Sequence, residues 1–114
     1  MSDCIFCKII NGEIPSTKVY EDDKVLAFND INPEAPVHVL IIPKNHIQSV
    51  NEINENNADI IAHIFVVINK LVNELGIADS GYRIINNAGE DGGQTVPHLH
   101  FHLIGKRKLG IKLT

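Results

Sequence analysis

Half of the six histidines in this chain fall within five residues, at His98, His100 and His102, with apolar residues between them. Imidazole titrates close to neutrality, so it can serve as nucleophile, proton donor or metal ligand. In an extended segment successive side chains take opposite faces. A strand over Thr95-Val96-Pro97-His98-Leu99-His100-Phe101-His102-Leu103-Ile104 therefore predicts the three imidazoles on one side and Leu99, Phe101 and Leu103 buried on the other. Three readings compete for such a row. A merely solvated strand face fits poorly, because neighbouring imidazoles repel when protonated, and solvation alone would favour Thr, Lys or Glu. A metal site is the second reading, yet no carboxylate or thiol inside the segment completes a coordination shell. Phosphoryl or acyl transfer is the third, and the pattern favours it.

A neutral imidazole nitrogen attacks phosphorus readily, and water can break the bond it forms, so one difficult displacement becomes two easier ones. The attacking nitrogen must be unprotonated at neutral pH, which requires the other ring nitrogen to donate to a fixed acceptor such as a backbone carbonyl. His100, flanked on both sides, is the predicted nucleophile, and His102 the donor to a phosphate oxygen as charge develops. The preceding loop, Asn87-Ala88-Gly89-Glu90-Asp91-Gly92-Gly93-Gln94-Thr95, has three glycines. Glycine lets backbone N–H groups come close to an anion, and Gln94 and Thr95 would add side-chain hydrogen bonds. A plain turn is the alternative for that loop taken alone. A second chemical motif, Cys4-Ile5-Phe6-Cys7, holds both cysteines. In a chain read as cytosolic, that spacing points to a metal or a redox pair before a structural disulfide.

These residues must be positioned by a small scaffold. The 114 residues, 44% apolar, suffice for one domain, 1–114, with one core. No apolar run approaches the ~20 residues of a membrane span. The opening Met1-Ser2-Asp3-Cys4 lacks the basic and apolar regions of a secretory leader, so a cytoplasmic location is expected. A net charge of -4 argues against binding nucleic acid through its backbone, and an anionic ligand would need local donors. Lys106-Arg107-Lys108 reads as a solvated end in preference to a phosphate-steering patch.

Residues 4–11 read as a short helix, with Ser2 or Asp3 as N-cap, Gly12 as stop, and Ile5, Phe6, Ile9 and Ile10 as its apolar face. Residues 18–21 and 25–28 read as a hairpin around Asp22-Asp23, followed by a loop over 30–36. The most apolar strand, 37–42, is expected at the centre of the sheet. A helical turn is expected at 47–50. A long helix from Asn57 or Ala58 to Leu75 buries Ile60, Ile61, Ile64, Phe65, Ile68, Leu71, Val72 and Leu75 along one stripe and ends at Gly76. His63 on that helix reads as surface or packing. With a strand at 82–86, the sum is an α+β fold: a five-stranded antiparallel sheet with one long and one short helix covering one face.

The run Gly92-Gly93-Gln94-Thr95-Val96-Pro97-His98-Leu99-His100-Phe101-His102-Leu103-Ile104 resembles the signature of the histidine triad (HIT) superfamily, His-φ-His-φ-His-φ-φ with φ apolar. The resemblance extends through Ile14-Pro15, Phe28-Asn29-Asp30-Ile31 and the Val39 to His46 stretch with its Ile42-Pro43-Lys44, nearly the whole chain. Size and the Gly-Gly-Gln-Thr-Val run are most similar to the Hint-like branch, purine nucleoside phosphoramidate hydrolases that work as homodimers.

The resemblance implies a HIT-like sheet continued across the dimer and a catalytic set of His98, His100 and His102. His100 would attack the α-phosphorus of a purine nucleotide to form a nucleotidyl-histidine. His102 and Asn87 would hold α-phosphate oxygens, while Gly93 and Thr95, with Gln94 beside them, cradle phosphate and leaving group. Asp30 would accept hydrogen bonds from the ribose hydroxyls, and Ile31 and Phe28 would line the base pocket. No catalytic metal is required. His38 is either a hydrogen-bond partner of the triad or a core histidine satisfied by backbone. Some bacterial-type members hold a structural zinc, and the corresponding residues here are Cys4, Cys7, His46 and His98, a closed Cys₂His₂ shell. The chain departs from the family at Gly105-Lys106-Arg107, where Gly-Gly-Arg is usual, so leaving-group preference stays open. Two further functions remain in play: a dinucleoside polyphosphate hydrolase, and a nucleotide-binding regulatory module with incidental turnover.

Overall fold

The computed structural model of the chain describes residues 3–113. Five strands, β1 (Lys18–Glu21), β2 (Val25–Asn29), β3 (Val37–Pro43), β4 (Tyr82–Asn86) and β5 (Phe101–Gly105), form one antiparallel sheet in the order β1-β2-β3-β5-β4. Helix α1 spans Ile5–Ile10 and α2 spans Asp59–Glu74. This is the α+β fold expected from the sequence, with the most apolar strand at its centre.

The helices do not share a face, which corrects the expectation. Neither Val25-Leu26-Ala27-Phe28 nor the β3 run alternates with solvated residues, and both are buried on either side of the sheet. Such strands need cover on both faces. On one face Val25, Ala27, Val39, Ile41, Phe101 and Leu103 pack against Ile64, Val67, Ile68, Leu71 and Val72 of α2. On the other, Leu26, Phe28, Leu40 and Ile42 pack against Cys4, Phe6 and Ile9 of α1. Full burial of a side chain such as Phe6 or Ile9 contributes about 1.5–3 kcal/mol as an upper bound. These contacts, more than helix propensity, hold so short a helix in place.

Four local expectations also shift. The N-cap of α1 is Cys4 and not Asp3, since the Cys4 thiol accepts the Cys7 N–H at 3.3 Å; Ser2 lies outside the described residues. The helical turn comes later than expected, as a 3₁₀ turn over Val50–Glu52 capped by Ser49. On α2 the buried stripe includes Val67, whereas Phe65 remains 44% exposed with its ring 5.7 Å from that of Phe101. Gly76 adopts φ +71 while the Ile77 N–H returns to the Val72 carbonyl, closing the helix as a Schellman motif.

The histidine stretch is the fourth. Strand β5 begins only at Phe101, so His98 and His100 precede the ladder. The backbone there is satisfied by other partners: the Leu99 N–H donates to the Ile47 carbonyl, and the Asn86 amide donates to the His100 carbonyl at 2.8 Å. The alternation survives without the ladder. Leu99, Phe101 and Leu103 all enter the α2 core, while His98 and His100 meet Phe6 of α1.

Candidate active site and metal centre

His38 and His102 meet because of strand register. His102 lies opposite Leu40 across the β3–β5 pair, and His38 shares the Leu40 face two residues along β3, a diagonal neighbour. His38 Nε2 lies 2.9 Å from His102 Nδ1 and 3.5 Å from an Asp30 carboxylate oxygen. The Glu34 N–H donates to His38 Nδ1 at 3.0 Å. That bond fixes the chain of tautomers. His38 must carry its proton on Nε2 and donates it to His102 Nδ1, which leaves the His102 proton on Nε2. Asp30, His38 and His102 are close enough together to suggest a cation site, but the His38 Nε2 lone pair is not free in this tautomer. The group is a hydrogen-bonded relay.

His100 has the opposite arrangement. Its Nδ1 lies 2.7 Å from the His98 carbonyl oxygen, so Nδ1–H donates there and the Nε2 lone pair is free. A tautomer presenting an unprotonated nitrogen is what a histidine nucleophile requires. Burial depresses the proton affinity of His100, opposed by the His98 carbonyl and by the charge of Asp30. Burial likewise lowers His102 to about 4, reinforced by the His100 and His38 rings and opposed by Asp30. Both rings are therefore neutral at pH 7. The same two groups that oppose burial at His100 would favour a positive ring once Nε2 becomes bonded.

The loop before the triad is held by its own side chains. The Asn87 amide donates to the Gly92 carbonyl at 2.7 Å, which leaves its second N–H for another acceptor. Gln94 accepts the Gly89 N–H and donates to the carbonyls of Gln48 and Val96. These hydrogen bonds shape the loop that leads into the triad. Gly93 takes φ +76, a conformation open to glycine at little cost, and Thr95 is exposed beside it. On the far side of the relay, Asp30 accepts the Asn32 N–H at 2.8 Å, and the following Ile31 is 89% exposed. Phe28 is buried, its ring 5.6 Å from Phe6.

The sequence singled out neither Phe6 nor Asn86. Phe6 sets its ring edge-on to both His100 (centroids 5.1 Å apart) and His98 (5.8 Å). Asn86 holds the His100 carbonyl from β4. Only tertiary contact reveals either one, because nothing in the local pattern separates Phe6 from the rest of the α1 apolar face.

His98 belongs to a second cluster. Its Nε2–H donates to the Pro43 carbonyl at 2.9 Å, leaving Nδ1 as a lone pair 3.2 Å from the Cys4 sulfur and 3.6 Å from that of Cys7. His46 Nδ1 lies 3.3 Å from the Cys7 sulfur. The donor atoms of Cys4, Cys7, His46 and His98 all lie within 4.8 Å of one another. A tetrahedral zinc with ordinary bond lengths places sulfur and nitrogen ligands about 3.5 Å apart, so donor types and spacing fit a metal ion of that kind. Burial, then the neighbouring Cys4 thiol, raise the proton affinity of Cys7, so binding a metal must displace a proton there. His63 lies outside both clusters; its ring bonds the Asp22 carboxylate at 2.7 Å, tying α2 to the β1–β2 turn.

Comparison with known proteins places the same segments in context. The HIT domain family matches residues 11–109. A purine nucleoside phosphoramidase of Escherichia coli (strain K12) is 47% identical over 108 residues, covering 95% of this chain and 91% of that one. Among solved structures, a histidine triad protein from Clostridium difficile is 59% identical with a TM-score of 0.94, covering 96% of each chain. A HIT family hydrolase from Clostridium thermocellum is 56% identical with a TM-score of 0.97, covering 100% of this chain and 99% of that one.

Proposed function

The chain belongs to the HIT domain family, and from that premise we propose that it hydrolyses the P–N bond of purine nucleoside 5′-phosphoramidates through a nucleotidyl-histidine intermediate. The observation that carries the reading is the pair of opposed tautomers: His100 offers a lone pair on Nε2 while His102 offers a proton on Nε2. His100 Nε2 attacks the α-phosphorus as the P–N bond breaks, and the electron pair of that bond leaves on the amine nitrogen, which takes a proton from solvent water. His102 Nε2–H donates to a non-bridging oxygen as negative charge gathers there. Positive charge on the His100 ring is stabilised by the His98 carbonyl and by Asp30. Water then cleaves the N–P bond to release the nucleotide and restore neutral His100.

In this scheme the free N–H of Asn87 and the backbone at Gly93 and Thr95 hold phosphate oxygens. The second oxygen of Asp30 accepts from the ribose hydroxyls, and Phe28 and Ile31 face the base. Cys4, Cys7, His46 and His98 hold a structural zinc, which fixes His98 and hence the carbonyl that orients His100. We take residues 1–114 as one cytoplasmic domain that pairs as a homodimer. Edge strand β4 has one unpaired side, and Phe65, Val66 and Tyr82 leave apolar surface exposed.

The test is the His100→Ala variant with an adenosine 5′-phosphoramidate, measured beside a diadenosine polyphosphate. Turnover is expected to fall by at least about 10³-fold, and an acid-labile nucleotidyl adduct is expected on the wild-type enzyme alone. Near-normal turnover by His100→Ala refutes the mechanism. A higher kcat/KM for the polyphosphate refutes the substrate assignment.

A further inference from the structure

Cys4 and Cys7 take no direct part in the hydrolysis steps above, and their sulfurs are free thiols. Cys4 is buried and Cys7 half-buried, so an oxidant reaches the Cys7 sulfur first. Both sulfurs lie at the first turn of α1, where the Cys7 N–H already points at the Cys4 sulfur, and no two donor atoms of the cluster are farther apart than 4.8 Å. Cys4 has extended backbone (φ -78, ψ 116), so it can swing toward Cys7 without unwinding the helix. Two cysteines three residues apart at the start of a helix are spaced so that a disulfide can close with little backbone movement.

The cluster is joined to the nucleophile by two short paths. His98 supplies a ring nitrogen to the cluster and, through its backbone carbonyl, the acceptor that orients His100 at 2.7 Å. Phe6, between the two cysteines in sequence, packs its ring against both His98 and His100. Whatever loosens the cysteine end of α1 therefore reaches His100 through a hydrogen bond and through a packing contact.

We propose that Cys4 and Cys7 form an oxidisable dithiol whose closure to a disulfide expels the bound metal and slackens the orientation of His100. The oxidant is a hydroperoxide. The Cys7 sulfur attacks the distal peroxide oxygen, the O–O bond breaks, and an alcohol or water leaves, giving a sulfenic acid. The Cys4 sulfur then displaces that oxygen as water, so two thiols and one hydroperoxide yield one disulfide, one alcohol and one water, with two electrons passing from sulfur to oxygen. The disulfide removes both thiolate ligands at once, and His46 and His98 alone make half of a tetrahedral shell. A dithiol reductant reverses the change. This inference rests on the zinc and hydrolase readings given above.

Zinc-loaded protein treated with a stoichiometric hydroperoxide tests it. Zinc release to a chromophoric chelator, free thiols in denaturant, intact mass and phosphoramidate turnover are followed together. One zinc per chain is expected to appear as both thiols vanish, the mass falls by two hydrogens, and kcat drops at least about fivefold, the order expected from loosening one hydrogen bond. Reductant and zinc together restore all four. The Cys7→His variant keeps four donors but cannot close a disulfide, so the same treatment is expected to release none of the zinc it holds and to leave its mass without the two-hydrogen loss. Zinc stripped from the reduced protein by a chelator gives a second measure, with the same loss of turnover expected while both thiols stay intact. Oxygen added to the cysteines without a disulfide, a disulfide with zinc still bound, or undiminished turnover after zinc loss each overturn the proposal. Zinc release and thiol count decide the redox step by themselves, so a protein without phosphoramidase activity counts against the function proposed above and not against this step.

Discussion

Replacing His38 with alanine separates the relay from the nucleophile. His38 is 6% exposed and holds two hydrogen bonds, one from the Glu34 N–H at 3.0 Å and one to His102 Nδ1 at 2.9 Å. Each contributes about 1 kcal/mol net. Glu34 is exposed, so water can satisfy its freed N–H, and the expected loss of stability is about 2 kcal/mol. The effect on chemistry is distinct. Without His38, nothing holds the His102 proton on Nε2, and the lost bias of about 1–1.5 kcal/mol corresponds to roughly a tenfold fall in kcat. KM should stay within about twofold of wild type, because His38 Nε2–H is already committed to His102. Steady-state kinetics measures the first effect, and ¹⁵N NMR of the imidazole nitrogens reads the tautomers directly. The wild-type spectrum should show His102 protonated on Nε2 and His100 on Nδ1. A folded His38→Ala protein with wild-type kcat, or a wild-type His102 protonated on Nδ1, refutes the relay.

The remaining predictions concern stability, metal and the loop. His102 stays neutral in the fold down to about 4, against an ordinary 6.5. The unfolded chain then binds more protons between those values, and stability falls as pH drops from about 6.5 to about 4. Asp22 extends the loss to lower pH. Burial works against its ionised form, but hydrogen bonds from the Lys24 N–H, His63, the Val25 N–H and Tyr20 outweigh it and hold the carboxyl well below its ordinary 3.8. Its contribution is present above that value and disappears as pH falls further, so urea midpoints should decline in two successive stages; equal midpoints at pH 7 and pH 5 would contradict a buried neutral His102. Removing zinc with a strong chelator should lower Tm by at least about 4 °C, and Cys4→Ala should show the same Tm with or without zinc. At Gly92 an added Cβ would clash with the Ala88 carbonyl oxygen and lie 3.0 Å from the Ala88 nitrogen. Gly92→Ala should therefore cost about 1–3 kcal/mol in thermal unfolding and raise KM, because the Gly92 carbonyl anchors Asn87.

Much of the scaffold could be read in advance because its signals are local. The period of Ile64, Ile68, Leu71 and Val72 declares a helix, and Gly76 declares its end. The unbroken apolar run of β3 declares a central strand. The misreadings share one cause. Whether α1 lies on the same face as α2 depends on what covers Leu26, Phe28, Leu40 and Ile42, and local periodicity does not report that. Phe65 fits the helical stripe by spacing, yet it sits edge-on to Phe101 and stays 44% exposed. The alternation of His98, His100 and His102 suggested one continuous strand, whereas the backbone before Phe101 is satisfied by Ile47 and Asn86.

By itself the sequence determined the inventory: three imidazoles at alternate positions, two thiols one helical turn apart, a glycine-bearing loop, and enough apolar residues in the right periods to fold around them. The tertiary structure decided what each of those groups is able to do. A histidine's chemistry depends on which ring nitrogen keeps its proton, and that is set by a single acceptor or donor. For His98 this is the Pro43 carbonyl, 55 residues away; for His102 it is the His38 ring, 64 residues away. Spacing along the chain cannot encode those choices, because they arise only when β3 is brought beside the segment that carries His98 and His102.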